Sequence, residues 1–315
     1  MNVRRWVVLG VAGLAALMGG PARGQEELAG TLSFSGAWAL YPMAVRWGEE
    51  FQKLHPKVRF DISAGGAGKG MTDALAGAVD AGLVSRELNA AEIAKGAWAI
   101  AVTRDAVVPM VNQGNPVLAD LQKKGARRDV LAGLWLRKDA VTWGQIAGNS
   151  VKAPVRVFTR SDACGAAETW AKYLGANQED LKGTAVYGDP GLAEAVRKDT
   201  LGVGFNNLNF AYDLKTQKPV AGIRVVPIDI DGNGKVDPGE DFYGSHAAVA
   251  KAIADGKYPS PPARALHLVT RGKPGNPAVV AFLRWVLTDG QKYVSETGFI
   301  NLTDERLREE IKKLE

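Results

Sequence analysis

The sequence predicts an α/β protein with two lobes, each a mixed sheet flanked by helices. Three observations carry this expectation. The chain has 315 residues, and at roughly 150 residues per domain that length accommodates two hydrophobic cores. Its 46% hydrophobic and 23% charged residues are the balance of a soluble globular protein. Short β-prone runs alternate with helix-length segments along most of the chain, which argues for parallel or mixed sheets covered by helices.

In chain order, Leu28 to Phe34 contains the β-prone Thr31-Leu32-Ser33-Phe34. Gly36 and Pro42 then mark a turn into a helix over Met43 to Leu54, Pro42 suiting the first turn. Val58 to Ile62 alternates as a strand, Ala64 to Gly70 reads as a glycine-rich loop, and Met71 to Ala76 starts a helix that leads to a short apolar strand, Ala81 to Val84. Ala97 to Val102 and Ala106 to Val111 follow as two strands, and the Gly114-Asn115-Pro116 turn opens a helical stretch that holds the Thr142-Trp143 loop. Val155 to Thr159 leads into a helix over Ala166 to Leu174. Gly202 to Phe205 and Ile223 to Ile228 read as strands, Ala247 to Ala254 and Pro277 to Leu287 as helices, and a charged amphipathic stretch follows Thr303. No repeat or low-complexity linker separates the halves. The lobes are therefore expected to share crossing strands, which makes the first lobe discontinuous.

Arg4-Arg5, the apolar Trp6 to Met18 and the small residues Pro21 to Gly24 form a secretory signal peptide over residues 1–24, with cleavage expected after Gly24. The apolar run falls short of the about 20 residues that a membrane span needs. The formal charge of +5 includes Arg4, Arg5 and Arg23. Without these three, the 39 basic residues become 36 against 34 acidic ones, which gives no reason to expect nucleic acid or an anionic membrane as partner. Cys164 is the only cysteine. The exported protein is therefore expected to be periplasmic, with neither a lipid-bearing N-terminal cysteine nor an internal disulfide.

Three segments share one design, a strand followed by small residues and a helix start. They are Gly36 to Pro42, Gly65 to Gly70 and Arg160 to Ala166. Glycine lets a backbone approach a ligand closely, and the free N–H groups of a helix start attract anions. One such loop is a tight turn; three of them point to an anion site.

Tyr41-Pro42, the Gly65 to Gly70 loop, Val79-Asp80-Ala81-Gly82 with Ser85-Arg86, Thr142-Trp143-Gly144-Gln145-Ile146, Arg160-Ser161-Asp162 and Gly202-Val203-Gly204-Phe205 occur in the order seen in the periplasmic phosphate-binding proteins of ABC importers, which the chain resembles over nearly its whole exported length. The resemblance implies a periplasmic-binding-protein fold of type II. Residues 25–110 and 265–315 would form lobe I and residues 111–264 lobe II, with interlobe crossings near Val111 and Ala265. It places an oxyanion, phosphate foremost, against Ala39, Leu40 and Tyr41, Ala67 and Gly68, Arg86, Arg160 with Asp162, and Cys164, Gly165 and Ala166. It also implies an ABC permease as membrane partner and a monomer.

The chain departs from the family at those loops. Where the family carries hydroxyl donors, this sequence has Ala37, Trp38 and Ala39, then Ala67, then Cys164 and Ala166. Each hydrogen bond to a charged group contributes about 1.5–3 kcal/mol, so their loss weakens an anion site considerably. Arg86 stands where some members have an aspartate that accepts the proton of hydrogen phosphate. Arg160 remains, since a guanidinium grips two oxygens of a tetrahedral anion and Asp162 can hold the fork in place. Arg86 is either a second ligand or one half of a lobe-to-lobe ion pair. Cys164 is either a small buried substitute for serine or a thiol whose pKa Arg160 depresses. Trp38 either packs the hinge or offers a flat wall to a larger ligand, and Lys69 reads as a solvated loop charge.

Asp229 to Glu240 fills every position of a calcium loop: Asp229, Asp231, Asn233, the carbonyl of Lys235, Asp237 and Glu240, with Gly234 at the sharp bend. A structural calcium ion is expected there, on a scaffold other than the usual helix pair. His55, His246 and His267 are scattered, and neither a nucleophile elbow nor a catalytic dyad occurs, so an enzyme such as a secreted phosphatase is not expected. The expected function is capture of an oxyanion for an ABC permease. The alternative is an accessory sensor on the same fold, its phosphate-site hydroxyls lost.

Overall fold

The computed structural model describes residues 27–137 and 141–315; the signal peptide expected over 1–24 lies outside them. β1 (Gly30–Gly36) buries Leu32 and Phe34 on one face by the two-residue period of a strand. α1 (Tyr41–Leu54) starts with Pro42 and buries Met43, Ala44, Trp47, Gly48 and Phe51 along one stripe. β2 (Val58–Ala64) pairs parallel with β1. α2 (Ala67–Ala76) then returns the chain to β3 (Ala81–Val84), all four of whose residues are buried. The glycine-rich stretch is less of a loop than its composition suggested. Gly66, at φ +97°, turns the chain and the helix starts at Ala67. A Cβ on Gly36 would lie 2.7 Å from the Gly70 Cα of α2, so glycine there lets α2 dock directly on the strands.

α3 (Ala90–Ala94), capped reciprocally by Asn89 and Glu92, precedes β4 (Ala97–Asn112). The second lobe follows with α4 (Leu118–Lys124), β5 (Ala126–Arg127), α5 (Arg128–Leu136), α6 (Trp143–Ala147), β6 (Arg156–Arg160) and α7 (Gly165–Leu174). It continues through β7 (Thr184–Val186), α8 (Gly188–Lys198), β8 (Gly202–Asn207), α9 (Leu208–Ala211), β9 (Ile223–Val225), β10 (Ile228–Asp229) and α10 (His246–Ala254). β11 (Ala263–Arg271), α11 (Pro277–Leu287) and α12 (Asp304–Lys313) return to the first lobe. No helix among the described residues is long and apolar enough to cross a membrane.

The main sheet runs β2-β1-β3-β11-β4-β8-β6-β7, with β9 also on β4, while β5 and β10 form a separate parallel pair. β4 is one 16-residue strand, not the two expected over Ala97 to Val102 and Ala106 to Val111, and it runs through the polar Thr103, Arg104 and Asp105 between them. Its antiparallel ladder with β11 continues past them, because those side chains find partners. Thr103 Oγ1 donates to the Ile300 carbonyl at 2.9 Å, and Asp105 accepts from Arg264 Nε at 2.9 Å.

Two apolar cores sit on either side of these polar residues. Ile100 and Val102 of β4, with Leu266, Leu268 and Val269 of β11, belong to the first, which also holds the edge-packed rings of Phe34, Phe51, Phe60 and Phe282. Ala106 to Val108, Met110 and Val111 of β4, with Ala263 of β11, belong to the second. The sequence reading set the first crossing near Val111; on β4 the side chains change core at Thr103 to Asp105, and on β11 at Arg264 and Ala265.

Candidate functional site

The three small-residue loops meet along one seam between the lobes. The Gly68 amide at the start of α2 donates to the Ala163 carbonyl of the other lobe at 3.0 Å. Gly165, at the start of α7, faces Ser85 so closely that a Cβ would lie 2.2 Å from both its Oγ and its carbonyl oxygen. Trp38 lies edge-on to Tyr187, ring centroids 6.2 Å apart, and so near Gly188 that a Cβ there would approach its ring to 3.4 Å. Trp38 thus packs the seam. Within the first loop the Leu40 and Tyr41 amides both donate to the Ala37 carbonyl at 3.1 Å, and Ala39 and Leu40 are buried. Ala67 is buried beside Gly68.

Arg160 ends β6 with its side chain wholly enclosed at 0% exposure. Nε and Nη2 donate to the two oxygens of Asp162 at 2.8 and 2.6 Å, a bidentate fork. Nη1 donates to Asp189 Oδ1 at 2.8 Å. Burial alone would lower the Arg160 pKa; the Asp189 and Asp162 carboxylates outweigh it and raise the value. Asp162 is fixed in turn by the Gly188 amide at 3.1 Å.

Arg86 makes the lobe-to-lobe ion pair, one of its two sequence readings. Nη2 meets Glu92 at 2.6 Å in its own lobe, and Nε meets Glu168 of α7 at 2.8 Å across the seam. The bond to Glu92 raises its pKa against the opposing effect of burial. A cavity of about 320 Å³ opens beside this pair, lined among others by Gly68, Arg86, Asn89, Ala163, Cys164 and Glu168. Lys69 lies on α2, not in a loop, and pairs with Asp73 one turn on.

Cys164 corrects the thiolate reading. Its thiol is buried, and that burial pushes its pKa up to about 12 despite Arg160. Sγ instead caps α7 by accepting from the Ala167 amide at 3.4 Å. Ala166 is buried behind it.

Sequence reasoning missed the polar network behind Arg160. Asn207 Nδ2 donates to Asp189 Oδ1 at 2.8 Å, while the side-chain Oδ1 of Asn207 accepts from Arg264 Nη2, and Arg264 also pairs with Asp105 and donates to Thr169 Oγ1 at 2.9 Å. These residues are buried, and they tie the Arg160 loop to the two strands that cross between lobes. Their one sequence signal is a charge set inside an apolar strand, as in Arg104-Asp105 and Arg264.

In the second lobe, Asp229, Asp231 and Glu240 bring carboxylate oxygens within 4.8 Å of one another. Asn233 Nδ2 donates to Asp237 at 2.6 Å, and Lys235 Nζ pairs with Asp237 at 2.8 Å. Asp229 also accepts from the Gly232 and Gly234 amides at 2.8 and 2.9 Å, which folds the loop around it. His246 and His267 are buried, His267 pairing with Val84 of β3 close to Arg86, and burial lowers both to about 4.

A family model described as a PBP superfamily domain matches residues 21–290. The phosphate-binding protein PstS of Pseudomonas aeruginosa PAO1 is 26% identical over 304 residues, covering 91% of this chain and 88% of that protein. PstS of Bacillus subtilis 168 is 25% identical over 288 residues, covering 90% and 84%. Among solved structures, a Clostridium perfringens protein crystallised with bound phosphate aligns with a TM-score of 0.70 at 19% identity, covering 87% of this chain and 100% of that one. An ABC-type phosphate transport receptor from Vibrio cholerae aligns with a TM-score of 0.63 at 18% identity, covering 86% and 100%.

Proposed function

The chain belongs to the PBP superfamily, and from that membership we propose that it is an exported solute-binding protein that captures an inorganic oxyanion, phosphate foremost, for an ABC permease. It has the two-lobed fold of periplasmic binding proteins and is a binding protein, not an enzyme. The observation that carries the proposal is Arg160, locked by Asp162 at the end of β6, one loop before the start of α7 and at the seam where both lobes meet. Rotation of the lobes about β4 and β11 exposes that guanidinium, and closure gives the permease a liganded shape to recognise. The protein acts as a periplasmic monomer after removal of residues 1–24. Calorimetry with phosphate, arsenate, sulfate and molybdate tests the reading: the wild type binds at least one of them and Arg160→Ala binds none.

One observation favours the second reading, an accessory sensor. The family's hydroxyl positions carry Ala67, Cys164 and Ala166, and the Gly68 amide is spent on Ala163. A screen in which no oxyanion shifts the melting curve supports the sensor over the importer. We also propose structural calcium at Asp229, Asp231, Asn233, the Lys235 carbonyl, Asp237 and Glu240. Three of those carboxylates converge, and the twelve-residue pattern is complete.

A further inference from the structure

Two carboxylates stand against one cation at the centre of the seam. A guanidinium has five N–H donors arranged in forks. Asp162 takes the fork formed by Nε and Nη2, which leaves the Nη1 end for any other anion. Asp189 already holds that end at 2.8 Å. Its position is built into the fold: Oδ1 also accepts from Asn207 at 2.8 Å, its carbonyl accepts from Asn206 at 2.9 Å, and its side chain is 1% exposed. The neighbouring Arg264 is itself paired with Asp105.

We infer that Asp189 is a built-in competitor for the anion, occupying the Nη1 end of Arg160 so that capture exchanges one anion for another on the same guanidinium. The inference rests on the oxyanion reading above and makes Asp189 its specificity determinant. A monoanion offers Arg160 no more charge than the carboxylate it displaces. A tetrahedral dianion does, so the exchange selects for dianions such as hydrogen phosphate. Repulsion between Asp189 and the incoming anion keeps affinity down, and removing that charge raises it.

The test is calorimetry with inorganic phosphate at pH 8, where it is a dianion, on wild type, Asp189→Asn, Asp189→Ser and Arg160→Ala, each checked for folding by near-ultraviolet circular dichroism. Asparagine keeps the shape and an acceptor oxygen for Arg160 and Asn207; serine is the smaller neutral alternative. The expected result is binding about tenfold or more tighter in either neutral variant than in wild type, with binding lost in Arg160→Ala. If Arg160→Ala loses binding but both folded Asp189 variants bind no tighter than wild type, the competitor is overturned and the oxyanion reading stands. If Arg160→Ala binds as wild type does, both fall; if no protein of the set binds phosphate, the competitor falls, and the oxyanion reading falls with it when arsenate, sulfate and molybdate also fail to bind wild type.

Discussion

Arg86 and Arg160 each lie between two carboxylates at the same seam, yet they use them in opposite ways. Arg86 joins Glu92 of its own lobe to Glu168 of the other. Arg160 takes both of its acids, Asp162 and Asp189, from its own lobe. Water still reaches Glu168, 27% exposed, whereas Asp189 is 1% exposed. An ion pair in contact with water separates at little cost as lobes move apart. A buried one does not separate unless another charge takes the vacated place. Arg86 is therefore a clasp between bodies, and Arg160 a fixture whose partner can only be exchanged.

The contrast breaks most visibly at Arg160. Replacement by methionine leaves Asp162 and Asp189 buried without their cation and is expected to cost about 3–5 kcal/mol, read by urea denaturation; Arg86→Met, with water at hand, costs less. An equal loss at both positions would erase the distinction.

The acid loop at Asp229 extends the comparison to a cluster whose ion pair is a lysine's, Lys235 with Asp237. Calcium bound only by the folded state stabilises it by about 2.7 kcal/mol at a hundredfold excess over Kd. Extracellular calcium modules bind at roughly 10⁻⁴–10⁻³ M, so tens of millimolar calcium is expected to raise the melting temperature, a chelator to lower it, and Glu240→Ala to abolish the response. A chelator-treated protein whose melting curve calcium leaves unmoved would show the loop to be an acidic turn only.

Acid separates the two arginine sites more finely, because their carboxylates respond with opposite sign. Burial raises the pKa of Glu92, but bonds from Arg86 and the Asn89 amide prevail and hold it below its usual 4.5. Glu92 therefore adds stability above about pH 4.5 that is lost as pH falls through its lowered value. Burial raises Asp189 above its usual 3.8 against the pull of Arg160. Its contribution is most favourable below pH 3.8 and is lost as pH rises through the raised value. Glu92→Gln is expected to flatten the acid limb of the melting temperature, by about 1 kcal/mol after allowance for solvent, and Asp189→Asn to steepen it. Limbs that shift in the same direction would refute the opposition.

The smallest effect is at Cys164. With its thiol near 12, iodoacetamide at pH 8 leaves it unmodified in the folded protein, as mass spectrometry can check. Cys164→Ser, a better cap for α7, changes stability by about 1 kcal/mol or less.

What could be read from the sequence follows the distance between partners. α1, α7 and α11 were legible because proline, glycine and a capping residue mark their ends within a few positions. Arg160 and Asp162 were legible because their bond spans one loop. Asp189 lies 29 residues beyond Arg160 on another element, and no local pattern announces that it will return to the guanidinium. β4 is one strand where two are expected, for the same reason: Asp105 finds its partner only in Arg264, 159 residues away. Local signals specify elements, but the charge balance of the site is a property of how the lobes assemble.

Because β4 and β11 each contribute side chains to both cores, neither lobe owns its sheet. Heat that loosens one core unpairs strands on which the other depends, so the two hydrophobic clusters form a single cooperative unit of unfolding. The two lobes are therefore expected to melt in one transition.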